Sequence, residues 1–318
     1  MSVLELRDVV VEYSRRGQPP VRAVAGASLD VEAGQVTGLV GESGCGKSTL
    51  ARAATGLLPI TAGSIHFRGE PVLPISRLRA RPAHELGLQM VFQDPYSALN
   101  PRRRVRDQLV DSLRVAGLPQ DRWSDRIREL LVQVGLPSSA ERSYPHEFSG
   151  GQRQRLCIAR VLAVEPSVIV ADEPISALDA STQASVSKLL LQLSRELGVG
   201  ILFISHDLAI VRQIADSVAV MYLGRVAERA SAARLWERPL HPYSEALIGA
   251  VPRADGTNTL PRFLPGEVPD PAAPPTGCRF HPRCPEVMER CRRDEPALAD
   301  LEAGRDVACF LHSEATVE

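Results

Sequence analysis

Through roughly the first 237 residues, short apolar runs alternate with stretches whose apolar positions recur every three or four residues. The runs at 36–40, 87–92, 168–171 and 200–204 are short and rich in β-branched side chains, which predicts buried strands. Over 181–197, Val186, Leu189, Leu190, Leu193 and Leu197 share one helical face, and Gly198 supplies a stop. Strands alternating with helices predict an α/β domain around a largely parallel sheet. From 97 to 165 helical patterns dominate, with candidates at 105–116, 125–134 and 152–164, so a helical insertion is expected between two strands.

The pattern changes beyond Trp236. Of 25 prolines, 12 lie between Pro239 and Pro296, and four of the six cysteines lie in the same tail. The segment 261–275 reads as an extended linker. A length of 318 residues is about two domains' worth, and 44% apolar with 24% charged residues is the composition of a globular chain with a sizeable core. Lys plus Arg (37) nearly balances Asp plus Glu (38), which argues against a protein that coats nucleic acid by bulk charge. No apolar run approaches a membrane span, and Glu5 and Asp8 precede any long apolar stretch, unlike a secretory signal. A soluble, cytosolic chain is expected.

Residues Gly41, Glu42, Ser43, Gly44, Cys45, Gly46, Lys47 and Ser48 complete the pattern G-x-x-x-x-G-K-[ST]. They follow the strand ending at Val40 and open a helical run at Thr49 (49–56), the context a phosphate-binding loop needs. The glycines let backbone N–H groups turn onto phosphate oxygens, and the helix start adds partial positive charge. Lys47 is then placed for the β- and γ-phosphates and Ser48 for Mg²⁺, while Cys45 fills a free position. The strand 168–171 delivers Asp172 to a Mg²⁺ shell, and Glu173 next to it is placed to polarise an attacking water. Acids at strand ends are common caps; beside a phosphate loop they suit hydrolysis. A second glycine-exposed helix start follows Phe148, at Ser149, Gly150, Gly151 and Gln152. One hydrolysis site does not need two such starts. A dimer does, if each chain offers one to the nucleotide held by the other.

Across about 3–237 these residues resemble the ATP-binding-cassette family. The matching elements are the loop at 41–48, Gln93 in Val-Phe-Gln-Asp-Pro, the Ser149–Gln152 signature, Asp172-Glu173, Ser176-Ala177-Leu178-Asp179, and His206 in Ile-Ser-His-Asp. Phe148 stands where leucine is more usual. The resemblance implies a P-loop nucleoside triphosphatase: a RecA-like core, an antiparallel β subdomain and a helical subdomain at about 97–165, using ATP and Mg²⁺. It implies that Tyr13 stacks on adenine, that Thr49 belongs to the nucleotide site, and that Gln93 senses Mg²⁺ and the γ-phosphate. His206 would hydrogen-bond that phosphate, Asp179 would couple two sites, and Ser149 and Gly151 would close on the partner's nucleotide. DNA-repair cassettes are split by a long coiled coil, for which 50–145 has no room, and translation-factor cassettes come in pairs; this chain has one phosphate loop. A transporter subunit remains, at the cytoplasmic face of the membrane, with a cytosolic cassette ATPase without membrane subunits as the alternative. It would work with a second cassette (a paralogue or itself), two permease subunits and an extracytoplasmic solute-binding protein. Arg102, Arg103, Arg104 and Arg106 read either as a solvated face or as the place where a membrane subunit docks.

The tail segments 238–247, 264–269 and 277–285 resemble the C-terminal extension of oligopeptide and dipeptide importer ATPases, whose relatives also carry nickel or glutathione. This adds a small Pro/Cys-rich extension over 238–318. Cys278, Cys284, Cys291 and Cys309 are separated by five, six and seventeen residues. A disulfide is disfavoured in the cytosol, and no C-x₂₋₄-C knuckle points to zinc. The wide spacing suits a four-iron, four-sulfur ([4Fe–4S]) cluster better, which some relatives with this tail carry; zinc and free structural thiols stay open. A proline-rich tail with little core of its own is expected to draw folding energy from metal ligation.

Overall fold

The computed structural model describes residues 2–312 apart from 16, 77–81, 252–265 and 303. Two long antiparallel strands, β1 (Ser2–Arg15) and β2 (Gln18–Glu32), open the chain. Leu4 and Leu6 of β1 point inward, and so do Val9 and Val11. The shift from even to odd positions is made at Asp8, whose φ of 48° accompanies a register break between Leu6 and Val9. One extra residue thus keeps the apolar side of a long strand on the core. The buried strand β3 (Val36–Val40) leads into α1 (Lys47–Ala54), then β4 (Ala62–Phe67) and the short β5 (Glu70–Pro71). An antiparallel sheet forms from these, in the order β2-β1-β4-β5.

Next come β6 (Leu88–Val91), the short α2 (Pro95–Ala98), α3 (Val105–Val115), α4 (Trp123–Gln133), α5 (Gly150–Leu162) and β7 (Val168–Asp172). Helices α2 to α5 are the expected insertion, with Leu109, Leu113, Ile127, Leu130 and Leu131 fully enclosed. Then α6 (Ala180–Leu197) ends at Gly198 in the left-handed conformation (φ 70°), followed by β8 (Gly200–Ile204), α7 (Leu208–Ile214), β9 (Ser217–Tyr222) and β10 (Arg225–Ser231). Strands β6, β7, β8, β3 and β9 run parallel, and every residue of β3, β7 and β8 is buried. That is why they read as unbroken apolar runs.

The tail carries α8 (Ala232–Glu237), α9 (Pro242–Gly249), α10 (Glu289–Arg293), β11 (Ala299–Glu302) and β12 (Arg305–Val307). It is fused to the sheet rather than appended. β12 pairs antiparallel with β10, giving the order β11-β12-β10-β9-β3-β8-β7-β6. Tyr243 and Phe280 sink into the same core as the parallel sheet. The fully buried Glu228 of β10 accepts from the N–H groups of Leu240 and His241 and from Arg305 at 2.9–3.1 Å. The tail's missing core is therefore the cassette's core. Of the expected linker, 261–265 lies outside the described residues, and 266–275 holds neither helix nor strand. Among the described residues no helix is long and apolar enough to cross a membrane. Three arginines of the basic cluster are used locally: Arg103 pairs with Asp111, Arg106 with Glu141, and Arg104 lies over the Tyr144 ring.

Candidate active site

Between β3 and α1 the chain turns through 41–46. Gly41 and Gly46 take φ values of 152° and 104°, and a Cβ on either would run into a backbone carbonyl, of Met221 and Ala23 respectively. Only glycine fits both. Gly46 caps α1 without any side-chain hydrogen bond, so the first amides of the helix keep no side-chain partner, and Ser43 and Gly44 form an exposed rim. Lys47 is buried; its Nζ donates to the carbonyls of Gly41 (2.8 Å) and Glu42 (2.9 Å). Burial pushes the Cys45 thiol up, so it stays protonated. Tyr13 leaves 39% of its surface open, and its hydroxyl lies 3.3 Å from Thr49 Oγ1, beside the loop.

Asp172 closes β7 and accepts from Ser48 Oγ at 2.8 Å. The two residues are 124 positions apart and meet because α1 follows β3, two strands from β7. Burial raises the Asp172 carboxyl above the usual carboxylate range. A buried acid with one hydroxyl partner is a donor set that fits a hard divalent cation. Glu173 has a φ of 45°, and its N–H donates to the Ile204 carbonyl at 3.0 Å. A non-glycine residue there costs about 1–2 kcal/mol. Gln93 Nε2 donates to Glu173 Oε2 and to Ser176 Oγ, both at 3.3 Å, and His206 Nδ1 lies 3.3 Å from the same Oε2. Gln93 and His206 thus converge on one carboxylate oxygen.

The second helix start stands apart from this cluster. Ser149 Oγ accepts from the Gln152 N–H (3.3 Å) while Gln152 Oε1 accepts from the Ser149 N–H (3.0 Å), a reciprocal cap on α5. A Cβ on Gly150 would crowd the Leu178 side chain, and one on Gly151 would meet the Thr182 methyl. Thr182 in turn bonds Asp179, which caps α6 and accepts three hydrogen bonds at 2.6–3.0 Å that hold its carboxyl well below the ordinary range. Among the described residues, no hydrogen bond joins 149–152 to 41–49 or to Asp172 and Glu173.

The cysteines depart from expectation. Cys278, Cys284, Cys291 and Cys309 are free, and among the described residues no three His, Cys, Asp or Glu side chains converge as metal ligands. Neither the iron–sulfur cluster nor the zinc site therefore has its ligand geometry here. Cys278 and Cys309 are thiols pushed up to about 11 by burial, with small contributions from their neighbouring thiols. Two residues missed in the sequence do reach the site from the tail. Arg283 forks onto the Glu42 carboxylate at 2.7 and 3.0 Å, and Tyr243 Oη accepts from the Glu42 N–H at 2.9 Å. The available signal was an arginine set between Cys278 and Cys284 in Cys-Arg-Phe-His-Pro-Arg-Cys.

Comparison with known proteins fits this geometry. Residues 24–176 match the family model described as ABC transporter, and 227–291 match that of the oligopeptide/dipeptide transporter C-terminal region. The chain is 46% identical over 320 residues to the di/tripeptide transport ATP-binding protein DppF of Pseudomonas aeruginosa, covering 98% of each. It is 42% identical over 322 residues to the oligopeptide transport ATP-binding protein AppF of Bacillus subtilis, again covering 98% of each. The solved structure of cbiO1 from Clostridium perfringens, part of the ABC transporter complex cbiONQ, superposes with a TM-score of 0.65 at 30% identity, over 74% of this chain and 91% of that one. The class is a nucleotide-hydrolysing cassette of the P-loop type. The chain belongs to the ABC transporter family and carries the C-terminal region of its oligopeptide/dipeptide transporters.

Proposed function

We propose that this chain is the ATP-hydrolysing subunit of a peptide importer, with 1–237 as the ATPase and 238–318 as the importer-specific extension. The relatives named for di/tripeptide and oligopeptide transport support peptide cargo over nickel or glutathione. The proposed partners are a second cassette subunit, identical or paralogous, two permease subunits in the membrane and an extracytoplasmic solute-binding protein. The chain then sits at the cytoplasmic face of the membrane.

In this reading Lys47 and the amides of 41–49 hold the phosphates, and Tyr13 supports the adenine. Ser48 and Asp172, with Gln93 nearby, hold Mg²⁺, which when bound neutralises phosphate charge. Glu173 accepts the proton of the attacking water, and Gln93 and His206 keep the receiving oxygen in place. Convergence of both side chains on Glu173 Oε2 carries the proposal. Changing Glu173→Gln is expected to keep Mg²⁺-ATP binding and to lower phosphate release by the assembled transporter about 10³-fold. Near-normal turnover would remove Glu173 from the mechanism. The iron–sulfur part of the proposal has narrower support: four free thiols in one segment, three of them raised in part by the others. Iron and sulfide in anaerobically purified protein would support it; their absence would leave the cysteines as packing thiols.

A further inference from the structure

We propose that the tail positions the phosphate loop, with Arg283 and Tyr243 acting on Lys47 by way of Glu42. Three polar groups of Glu42 are committed. Its carboxylate takes both arms of the Arg283 guanidinium, at 2.7 and 3.0 Å, and its N–H goes to Tyr243 Oη at 2.9 Å. Its carbonyl accepts from Lys47 Nζ at 2.9 Å. An amide at the head of a phosphate loop is here spent on the tail, and the carbonyl beside it aims the lysine.

The clamp is stiff. The Arg283 side chain is 3% exposed, and Nη1 also donates to Tyr222 Oη at 3.3 Å. Its guanidinium carbon lies 5.8 and 5.9 Å from the Tyr222 and Phe280 ring centres. The rings of Tyr222, Tyr243 and Phe280 pack on one another at 4.6–5.4 Å, and Tyr243 is fully buried. A second route runs in parallel: Arg279 donates to the Leu223 carbonyl, and the next residue, Gly224, donates its N–H to the Cys45 carbonyl at 2.8 Å. A bidentate guanidinium–carboxylate pair fixes geometry as well as charge. Removing Glu42 leaves the buried guanidinium uncompensated, and removing Arg283 leaves the half-buried Glu42 carboxylate without its fork, which frees the loop to move. A loop already held in its binding shape loses less entropy when it closes on phosphate. Arg283 and Tyr243 are therefore positioning residues for the nucleotide.

This rests on 41–49 being the phosphate site, so the test separates the two claims. Magnesium and a fluorescent ATP analogue are titrated into full-length chains carrying Tyr243→Phe, Arg283→Gln, Arg283→Lys, Glu42→Gln, the Glu42→Gln/Arg283→Gln pair, and Lys47→Ala. Tyr243→Phe changes a single hydroxyl and keeps the packing. The expected result is about tenfold weaker binding for Tyr243→Phe and Arg283→Gln, partial recovery with Arg283→Lys, and no further loss on adding Arg283→Gln to Glu42→Gln. Wild-type affinity in both Tyr243→Phe and Arg283→Gln, while Lys47→Ala loses binding, would overturn the clamp alone. An equal loss from Arg283→Gln with or without Glu42 would also overturn it, because the effect would not pass through Glu42. Wild-type binding by Lys47→Ala would overturn the phosphate site and the clamp together.

Discussion

Two helices of this chain begin at glycines, and their first turns are finished differently. α1 starts at Gly46 with no side chain over its amides, behind a rim of Ser43 and Gly44 and beside a buried Lys47. α5 starts at Ser149, whose hydroxyl and the Gln152 amide close a reciprocal cap. An uncapped helix start with a lysine beside it stays open to an anion. A capped start is stable by itself, and among the described residues no hydrogen bond joins it to 41–49. In the proposed two-chain site this exposed serine would meet the nucleotide carried by the partner cassette. The contrast also explains the residues beneath. At Gly46 a Cβ would run into a backbone carbonyl, whereas at Gly150 and Gly151 it would meet the side chains of Leu178 and Thr182, and Thr182 is hydrogen-bonded to Asp179.

Substitutions on the two sides of this contrast differ in size. The largest effect belongs to α1: Lys47→Ala is expected to weaken Mg²⁺-ATP binding by the isolated chain about 100-fold or more, read by equilibrium titration. Retained affinity would break the comparison at its open end. The smallest belongs to the cap of α5. Ser149→Ala removes one capping acceptor, at about 1 kcal/mol, and is expected to lower the melting temperature by about 2 °C, with Ser149→Asp restoring it. A melting curve unmoved by Ser149→Ala would show that the cap seen here contributes nothing.

The candidate site residues could be named from sequence because each sits in a short contiguous pattern whose chemistry demands neighbours (41–48, Asp172-Glu173, His206), and the structure brings Ser48 to Asp172 and Gln93 and His206 to Glu173. The four buried strands were legible for the same local reason, and Gly198 marked the end of α6 through its left-handed backbone. Pairings across the fold were less so. Arg283 and Glu42 are 241 positions apart, and only the docking of the tail against β9 and the β9–β10 turn brings them together. β11 (299–302) and β12 (305–307) are short and polar, with no period to announce a strand, yet they extend the main sheet. The tail's packing was not legible for a related reason. A tail poor in apolar residues reads as one without a core, but Tyr243, Phe280 and the Glu228 hydrogen bonds tie it to the cassette's core.

The central claim is that α1 serves a nucleotide in its own chain and α5 does not. Titrating magnesium and a fluorescent ATP analogue into the isolated chain carrying Ser149→Arg tests it without any partner present. The account predicts an affinity within about twofold of the unaltered chain. A loss of about tenfold or more would contradict it, because both helix starts would then hold the same nucleotide in one chain.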